Sequence, residues 1–270
     1  MEAPPPMSAP THALRLPALT LTLTLALTQA TSPASPPDRP WPRHVIDRSS
    51  RGADGVRLAD FDGDGLRDIV TPWEEGGLTR IYLHPGHAQV RRPWPAQTVG
   101  EIASPEDAVA VDLDGDGLLD VVSASEGRTR QVYAHWHPAA PGQPWSTAPF
   151  AATAGRQWMF CLPLQIDGLR GIDLVLGAKG QGAELGWLGS PEDPRDLAAW
   201  RWNPWAQVSW IMSIVALDID GDGHLDVLAS DRKPPSARVF WMRNPGRPGT
   251  PWQEHPIGGA GEELMFLDAA

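Results

Sequence analysis

The nine residues Asp60-Phe-Asp-Gly-Asp-Gly-Leu-Arg-Asp68 constrain this chain more than any other stretch, because they return in one register. They recur as Asp112-Leu-Asp-Gly-Asp-Gly-Leu-Leu-Asp120 and as Asp218-Ile-Asp-Gly-Asp-Gly-His-Leu-Asp226. The first two copies start 52 residues apart, and a further step of 53 lands on Gln165-Ile-Asp-Gly-Leu-Arg-Gly-Ile-Asp173, a degenerate copy that keeps Asp167, Gly168 and Asp173. Another 53 residues reach Asp218, and 50 more reach Asp268, preceded by Leu-Met-Phe-Leu much as Asp218 is preceded by Ile-Val-Ala-Leu. A period near 50 residues means stacked supersecondary units, such as propeller blades or solenoid turns.

The flanks of each loop read as strands. Val56-Arg-Leu-Ala59, Ala108-Val-Ala-Val111 and Ile214-Val-Ala-Leu217 lie upstream; Ile69-Val70, Val121-Val122 and Val227-Leu228 lie downstream. β-branched residues dominate and no helical period is present. The same Asp pattern opens an EF-hand, but that loop needs helices on both sides and a Glu at position 12. Position 12 here is Thr71, Ser123 or Ala229, so the loop is a strand–ion–strand turn.

Two further elements share the period. Tyr82, Tyr133, Trp187 and Trp241 follow the ninth loop residue by 14, 13, 14 and 15 positions, each in a short apolar run ending at Pro. Trp41-Pro-Arg-His-Val-Ile46, Trp94-Pro-Ala-Gln-Thr-Val99 and Trp252-Gln-Glu-His-Pro-Ile257 match one another, with Trp145 and Trp205 as counterparts in the remaining units. One unit then reads as a Trp-headed strand, a strand into the loop, a strand out of it and an aromatic-ended strand. Four antiparallel strands per unit make a propeller blade, and Pro in the Trp-headed segment suits an edge strand. The expected fold is all-β: a β-propeller of about four-stranded blades, spanning roughly 41–92, 93–143, 144–200 and 201–250 with a partial blade at 251–270. The tryptophans are expected to pack between blades.

The loop chemistry points to a hard cation. Ca²⁺ takes roughly six to eight oxygens, and alternate residues of a tight loop can turn inward to supply them. Positions 1, 3, 5 and 9 offer carboxylates: Asp60, Asp62, Asp64 and Asp68; Asp112, Asp114, Asp116 and Asp120; Asp218, Asp220, Asp222 and Asp226. Position 7 offers a backbone carbonyl, which explains its tolerance of Leu66, Leu118 or His224. Glycines at positions 4 and 6 allow the positive φ that a side chain resists. Four carboxylates in nine residues repel one another, so ion binding is also folding free energy. Oxygen donors favour Ca²⁺ over zinc, and Mg²⁺ demands a stricter octahedron. About three Ca²⁺ ions are expected. The third loop, with Gln165 and Leu169 at positions 1 and 5, is expected to hold none.

Composition narrows the partners. A net charge of −11 with no basic stripe argues against nucleic acid, and much of the acidity sits in the loops. Cys161 stands alone, so no intrachain disulfide is possible. Arg15 followed by the Thr/Leu-rich run Leu16–Leu27 and Thr28-Gln-Ala30 reads as a signal peptide over 1–30. The run is too short for a stable membrane span. Residues 31–40 read as a Pro-rich linker into a repeat domain over 41–270. The expected location is secreted, periplasmic or cell-surface.

The loop Asp-x-Asp-Gly-Asp-Gly-x-x-Asp between strands, repeated at blade length, resembles the FG-GAP and VCBS repeats. These include the β-propeller of integrin α subunits and many exported bacterial proteins. The resemblance covers about residues 41–270 and is specific in copies one, two and four. It implies calcium ions that brace blades, with function on a propeller face. Such propellers usually have about seven blades. This chain offers four and the opening of a fifth, so an incomplete or open propeller is expected.

Two classes of function follow. The first is a non-enzymatic binding or adhesion platform for a protein or glycan ligand on one propeller face. The second is a calcium-propeller carbohydrate-active enzyme, a polysaccharide lyase or sugar dehydratase. Its polar candidates are Glu74, Glu75 and Arg80 in the first unit and Glu126, Arg128 and Arg130 in the second. His84 and His135, 16 and 15 residues after their position-9 aspartates, read as equivalent positions on adjacent units. No Ser-His-Asp order or phosphate-binding Gly loop is present, and no catalytic residue is assigned.

Overall fold

The computed structural model describes residues 41–140 and 142–269. The signal peptide and linker expected over 1–40 lie outside the described residues. The chain divides into a compact unit from Arg43 to Ala270 and a separate preceding segment. Of that segment Trp41 and Pro42 are described, both exposed.

Sixteen strands form four antiparallel four-stranded sheets, and among the described residues there is no α-helix, only the single 3₁₀ turn Ala151–Thr153. The first sheet holds β1 (Arg57–Ala59), β2 (Asp68–Trp73), β3 (Leu78–Tyr82) and β4 (Ala96–Gly100). The second holds β5 (Pro105–Val111), β6 (Asp120–Ser125), β7 (Gln131–Trp136) and β8 (Ser146–Pro149). The third holds β9 (Gln157–Leu164), β10 (Asp173–Lys179), β11 (Glu184–Gly189) and β12 (Arg201–Gln207). The fourth holds β13 (Ile211–Leu217), β14 (Asp226–Asp231), β15 (Arg238–Arg243) and β16 (Gln253–Gly258). Each is a meander, its strands paired in chain order. The all-β expectation holds.

The hydrogen bonds shift the phase of the unit. The Trp-headed strand was expected to open each unit; it closes the preceding sheet instead, as β4, β8, β12 and β16. These are edge strands, and Pro149, Pro204 and Pro256 sit in them, where a missing N–H costs no ladder bond. The first segment of this kind, Trp41–Ile46, forms no strand. The segment Leu264–Leu267 also forms no strand, although its sequence matches Ile214–Leu217. Serines of the fourth sheet tie it down: Ser230 Oγ donates to Met265 O at 3.1 Å, and Leu267 N donates to Ser213 Oγ at 3.0 Å.

The first strands of successive sheets carry the packing. β2 and β1 lie against β5, β5 and β6 against β9, and β9 and β10 against β13. A buried polar clamp joins three sheets at these strands. Fully buried Asp107 on β5 accepts from Arg57 Nη2 on β1 at 2.9 Å and from Cys161 N on β9 at 3.1 Å. Around it, beside buried serines and aspartates such as Ser123, Ser230 and Asp231, the middle strands bury apolar side chains, with Val121, Val122, Leu174, Val175, Leu176 and Val227 each fully buried. Each such side chain contributes roughly 1.5–3 kcal/mol of transfer free energy. Of the tryptophans that head the repeated segments, Trp145, Trp205 and Trp252 are partly buried against the core, whereas Trp41 is 94% exposed; Trp158 and Trp200, outside those segments, are fully buried.

Candidate metal centres

Each loop connects the first two strands of its sheet: residues 60–67 join β1 to β2, 112–119 join β5 to β6, 165–172 join β9 to β10, and 218–225 join β13 to β14. All four therefore lie at the same end of their sheets. The strand pairing that closes the turn brings position 9 opposite the residue before position 1, as in Ala59 against Asp68.

Inside the loops the carboxylates serve the backbone first. Position 1 receives two amides through its two oxygens: Gly63 N and Gly65 N on Asp60 at 2.8 and 3.0 Å, Gly115 N and Gly117 N on Asp112 at 2.9 and 3.1 Å, Gly221 N and Gly223 N on Asp218 at 2.9 and 3.0 Å. Only a backbone turned sharply inward can aim both amides at one carboxylate. Gly63 and Gly65 accordingly have φ of 74° and 82°, with open space where a Cβ would stand. Conformation rather than crowding selects glycine there.

Position 9 is buried in every copy, at no more than 1% exposure for Asp68, Asp120, Asp173 and Asp226. One oxygen accepts the amide of position 2, from Phe61, Leu113, Ile166 or Ile219. The other accepts an amide just beyond the third strand, from His84, His137, Ser190 or Asn244, at 2.7–2.9 Å. The position-9 aspartate thus staples loop to sheet whether or not its loop can hold an ion. This role was not anticipated from the sequence, though the persistence of Asp173 in the degenerate copy signals it. The same bonds correct the pairing of histidines. His84 corresponds to His137, not to His135, and each ring meets a tryptophan edge-on, Trp94 at 4.8 Å and Trp145 at 4.9 Å. His135 is fully buried between Ser123 Oγ and Thr147 Oγ1 at 2.8 and 2.9 Å, and burial pushes it down to about 4.

Positions 1, 3 and 9 converge in the three acidic loops. Asp60, Asp62 and Asp68 have ligand atoms within 4.8 Å of one another, as do Asp112, Asp114 and Asp120, and Asp218, Asp220 and Asp226. Position 5 stands outside each trio, and Asp64, Asp116 and Asp222 instead accept the amide of position 7, from Leu66, Leu118 and His224, at 2.8–3.0 Å. Three carboxylates with spare lone pairs, on a turn held by their own backbone, fit a hard divalent cation. The electrostatics agree. Burial pushes Asp120 up to about 7, with Asp114 and Asp116 adding to the rise. Asp62 is raised by desolvation and by the charges of Asp68, Asp64 and Asp60.

Arginines from distant segments reach two of the three trios. Arg243 bonds Asp220 at 2.5 Å and Asp222 at 2.9 Å, and holds Asp220 below the usual carboxylate range. Arg195, lying 4.6 Å over the Trp136 ring, contacts Asp114 and stands 3.9 Å from Asp116. Among the described residues no arginine pairs with the first loop. Sequence reasoning missed both contacts, because Arg195 and Arg243 have no fixed place in the repeat.

In the third loop the Gln165 amide bonds across the turn. Gln165 Oε1 accepts Gly168 N at 2.9 Å, as Asp60 accepts Gly63 N, while Nε2 donates to Leu169 O at 3.0 Å and to Gly171 O at 2.7 Å. Gly171 is position 7, whose carbonyl was assigned to the metal in the other loops.

A fourth acidic group lies at the opposite end of the sheets, where β2 and β6 end. Glu74, Glu106 and Glu126 bring carboxylate oxygens within 4.8 Å of one another in a cavity of about 470 Å³. Lys179 contacts Glu126 and stands 3.5 Å from Glu106. Burial pushes Glu106 up to about 7; Lys179 opposes the rise and Glu74 and Asp54 add to it. Of the polar candidates for catalysis, Glu74 and Glu126 meet here, whereas Arg80 is committed to Asp47 at 2.6 Å.

Comparison with known proteins matches this geometry. A family model described as an FG-GAP-like repeat fits residues 60–123, from the first acidic loop through the second. Human integrin alpha-10 is 32% identical over 80 residues, 26% of this chain and 7% of the integrin. The chain therefore spans a small part of that relative's length. Among the described residues no helix is long and apolar enough to cross a membrane. Residues 60–123, with the two acidic loops and the sheets they enter, are thus similar to an FG-GAP-like repeat, and 80 residues of the chain are similar to part of an integrin α subunit.

Proposed function

We propose that the chain is an exported, calcium-braced β-propeller module that presents one face to a protein or glycan ligand and catalyses no reaction. The observation that carries this reading is the recurrence of one carboxylate trio, at positions 1, 3 and 9, at the same turn of three sheets. Residues 41–270 form the repeat domain, behind a signal peptide over 1–30 and a linker over 31–40, and the protein acts outside the cytoplasm. About three Ca²⁺ ions bind. Asp60, Asp62, Asp64 and Asp68 with the Leu66 carbonyl hold the first; Asp112, Asp114, Asp116 and Asp120 with Leu118 the second; Asp218, Asp220, Asp222 and Asp226 with His224 the third. The position-5 aspartates join their trios by exchanging a backbone amide for the ion. A filled loop ties the first two strands of its sheet together and relieves the repulsion among its carboxylates.

Calorimetric titration of chelator-stripped protein with CaCl₂ tests the reading. About three sites are expected, and Asp62→Ala, Asp114→Ala and Asp220→Ala are each expected to remove one. Absence of binding, or single variants that bind as the parent does, would overturn it.

A further inference from the structure

We infer that the cleft between the third and fourth sheets is a carbohydrate site that takes a pyranose unit of a glycan. This inference rests on the ligand-binding reading above and names the class of ligand and its place.

The cleft is a cavity of about 420 Å³ whose walls include Trp187 on β11, Trp205 on β12 and Trp252 just before β16. That volume falls in the range of roughly 300–1,000 Å³ typical of small-ligand sites. The chain has thirteen tryptophans, and here three half-buried ones share one concavity. Trp205 and Trp252 stack with centroids 4.9 Å apart and planes 22° from parallel, making one apolar slab across the two sheets. The second sheet shows what this position does when it only packs. Trp145 precedes β8 as Trp252 precedes β16, and the His137 ring closes it edge-on at 4.9 Å. In the fourth sheet the residue in His137's place is Asn244, as their equivalent bonds to Asp120 and Asp226 show. Without that imidazole Trp252 turns to Trp205, and a cavity stands beside the pair.

The polar lining has what a sugar needs. Asp167, on the loop whose ion site is degenerate, uses Oδ1 to accept Leu169 N at 2.8 Å, and Oδ2 has no partner among the described residues. Arg247 and Thr250 line the same cavity, and Arg247 pairs with no carboxylate among the described residues. An acceptor, a planar fork of donors and a hydroxyl around aromatic faces suit a pyranose ring, which shows C–H groups on its faces and hydroxyls at its rim. The fold keeps these parts close: Pro248, in the turn that carries Arg247, abuts Gly168 next to Asp167, so that a Cβ on Gly168 would stand 3.1 Å from its ring.

The test is calorimetry of the calcium-loaded full chain with four soluble probes: cellohexaose, xylohexaose, mannohexaose and chitohexaose. Binding of at least one is expected, with affinity falling about tenfold or more in Trp252→Ala, about 1.4 kcal/mol. Trp252→Ala also removes inter-sheet packing, so Asp167→Asn and Arg247→Gln, both on surface turns, serve as the second arm. Each is expected to weaken binding several-fold with an unchanged melting temperature. Failure of all four sugars at millimolar concentration, or binding that all three variants leave intact, overturns the site. Calcium titration of the same samples separates this from failure of the calcium-braced reading, since the loops can fill while the cleft stays empty.

Discussion

The second and third loops occupy the same turn of adjacent sheets and solve the same problem with different chemistry. In both, position 9 is buried and staples the loop to the third strand. In the second, Asp112, Asp114 and Asp120 bring ligand atoms within 4.8 Å of one another, a group that could hold a cation. In the third, the Gln165 amide supplies both acceptor and donor across the loop, beside the Asp167 carboxylate that accepts Leu169 N. The difference separates what an aspartate does for the fold from what it does for an ion, a distinction that an intact copy of the motif conceals.

The largest effect should come from removing calcium altogether. An ion present at 100 times its Kd stabilises by about 2.7 kcal/mol, so three filled loops contribute about 8 kcal/mol. Chelator should lower the denaturation midpoint accordingly. Asp114→Ala should forfeit about a third of that sensitivity, while Leu169→Ala in the third loop should forfeit none. A chelator response that Leu169→Ala diminishes would break the comparison.

Next comes the staple. Asp173→Ala leaves the amides of Ile166 and Ser190 without their acceptor, at roughly 1–3 kcal/mol each, so a loss of roughly 2–6 kcal/mol is expected with calcium or without it. A loss seen only with calcium would make Asp173 a ligand instead.

The pH profile sharpens the contrast further. Burial pushes Asp173 up to about 6 from an ordinary 3.8. The fold then holds the proton more tightly than the unfolded chain does, and the associated stability is complete below the ordinary value and is lost as pH rises through about 6. Asp173→Asn should flatten that part of the profile. Asp120, pushed up to about 7, should give a similar slope in chelator that saturating calcium abolishes, because the ion holds the carboxylate ionised.

The smallest effect concerns the arginine over the second loop. Arg195 competes for the carboxylates an ion would use. Arg195→Gln should tighten calcium at that loop by a few-fold, the scale of a part-exposed ion pair worth about 0.2–1 kcal/mol. The first loop, which has no such arginine among the described residues, should not respond. Weaker calcium binding in the variant would mean that Arg195 organises the loop rather than occupying it.

Much of this architecture was legible because a repeated unit shows its constraints several times. The register of Asp60, Asp112 and Asp218, the β-branched flanks and the missing position-12 Glu were enough to place each loop between two strands. The phase of the unit was not legible, since a cyclic pattern reads the same wherever it is cut; only hydrogen bonding assigns Trp94-Pro-Ala-Gln to the sheet behind it. Nor was the pairing of His84 with His137, because β3 and β7 differ in length and counting from the loop lands on His135, one pleat short. Contacts outside the period, such as Arg243 on Asp220 or Glu106 between Glu74 and Glu126, depend on how sheets meet and leave no mark in local sequence.

The Gln165 amide has a consequence for where the molecule would come apart. A side chain that stands in for an ion cannot diffuse away, so the third sheet keeps its corner fastened in any ionic environment. On the proposed calcium-braced reading, its neighbours on both sides depend on dissolved mineral. In calcium-poor surroundings the array would loosen from its flanks while its interior holds, and the same anchored sheet would be the first to form again.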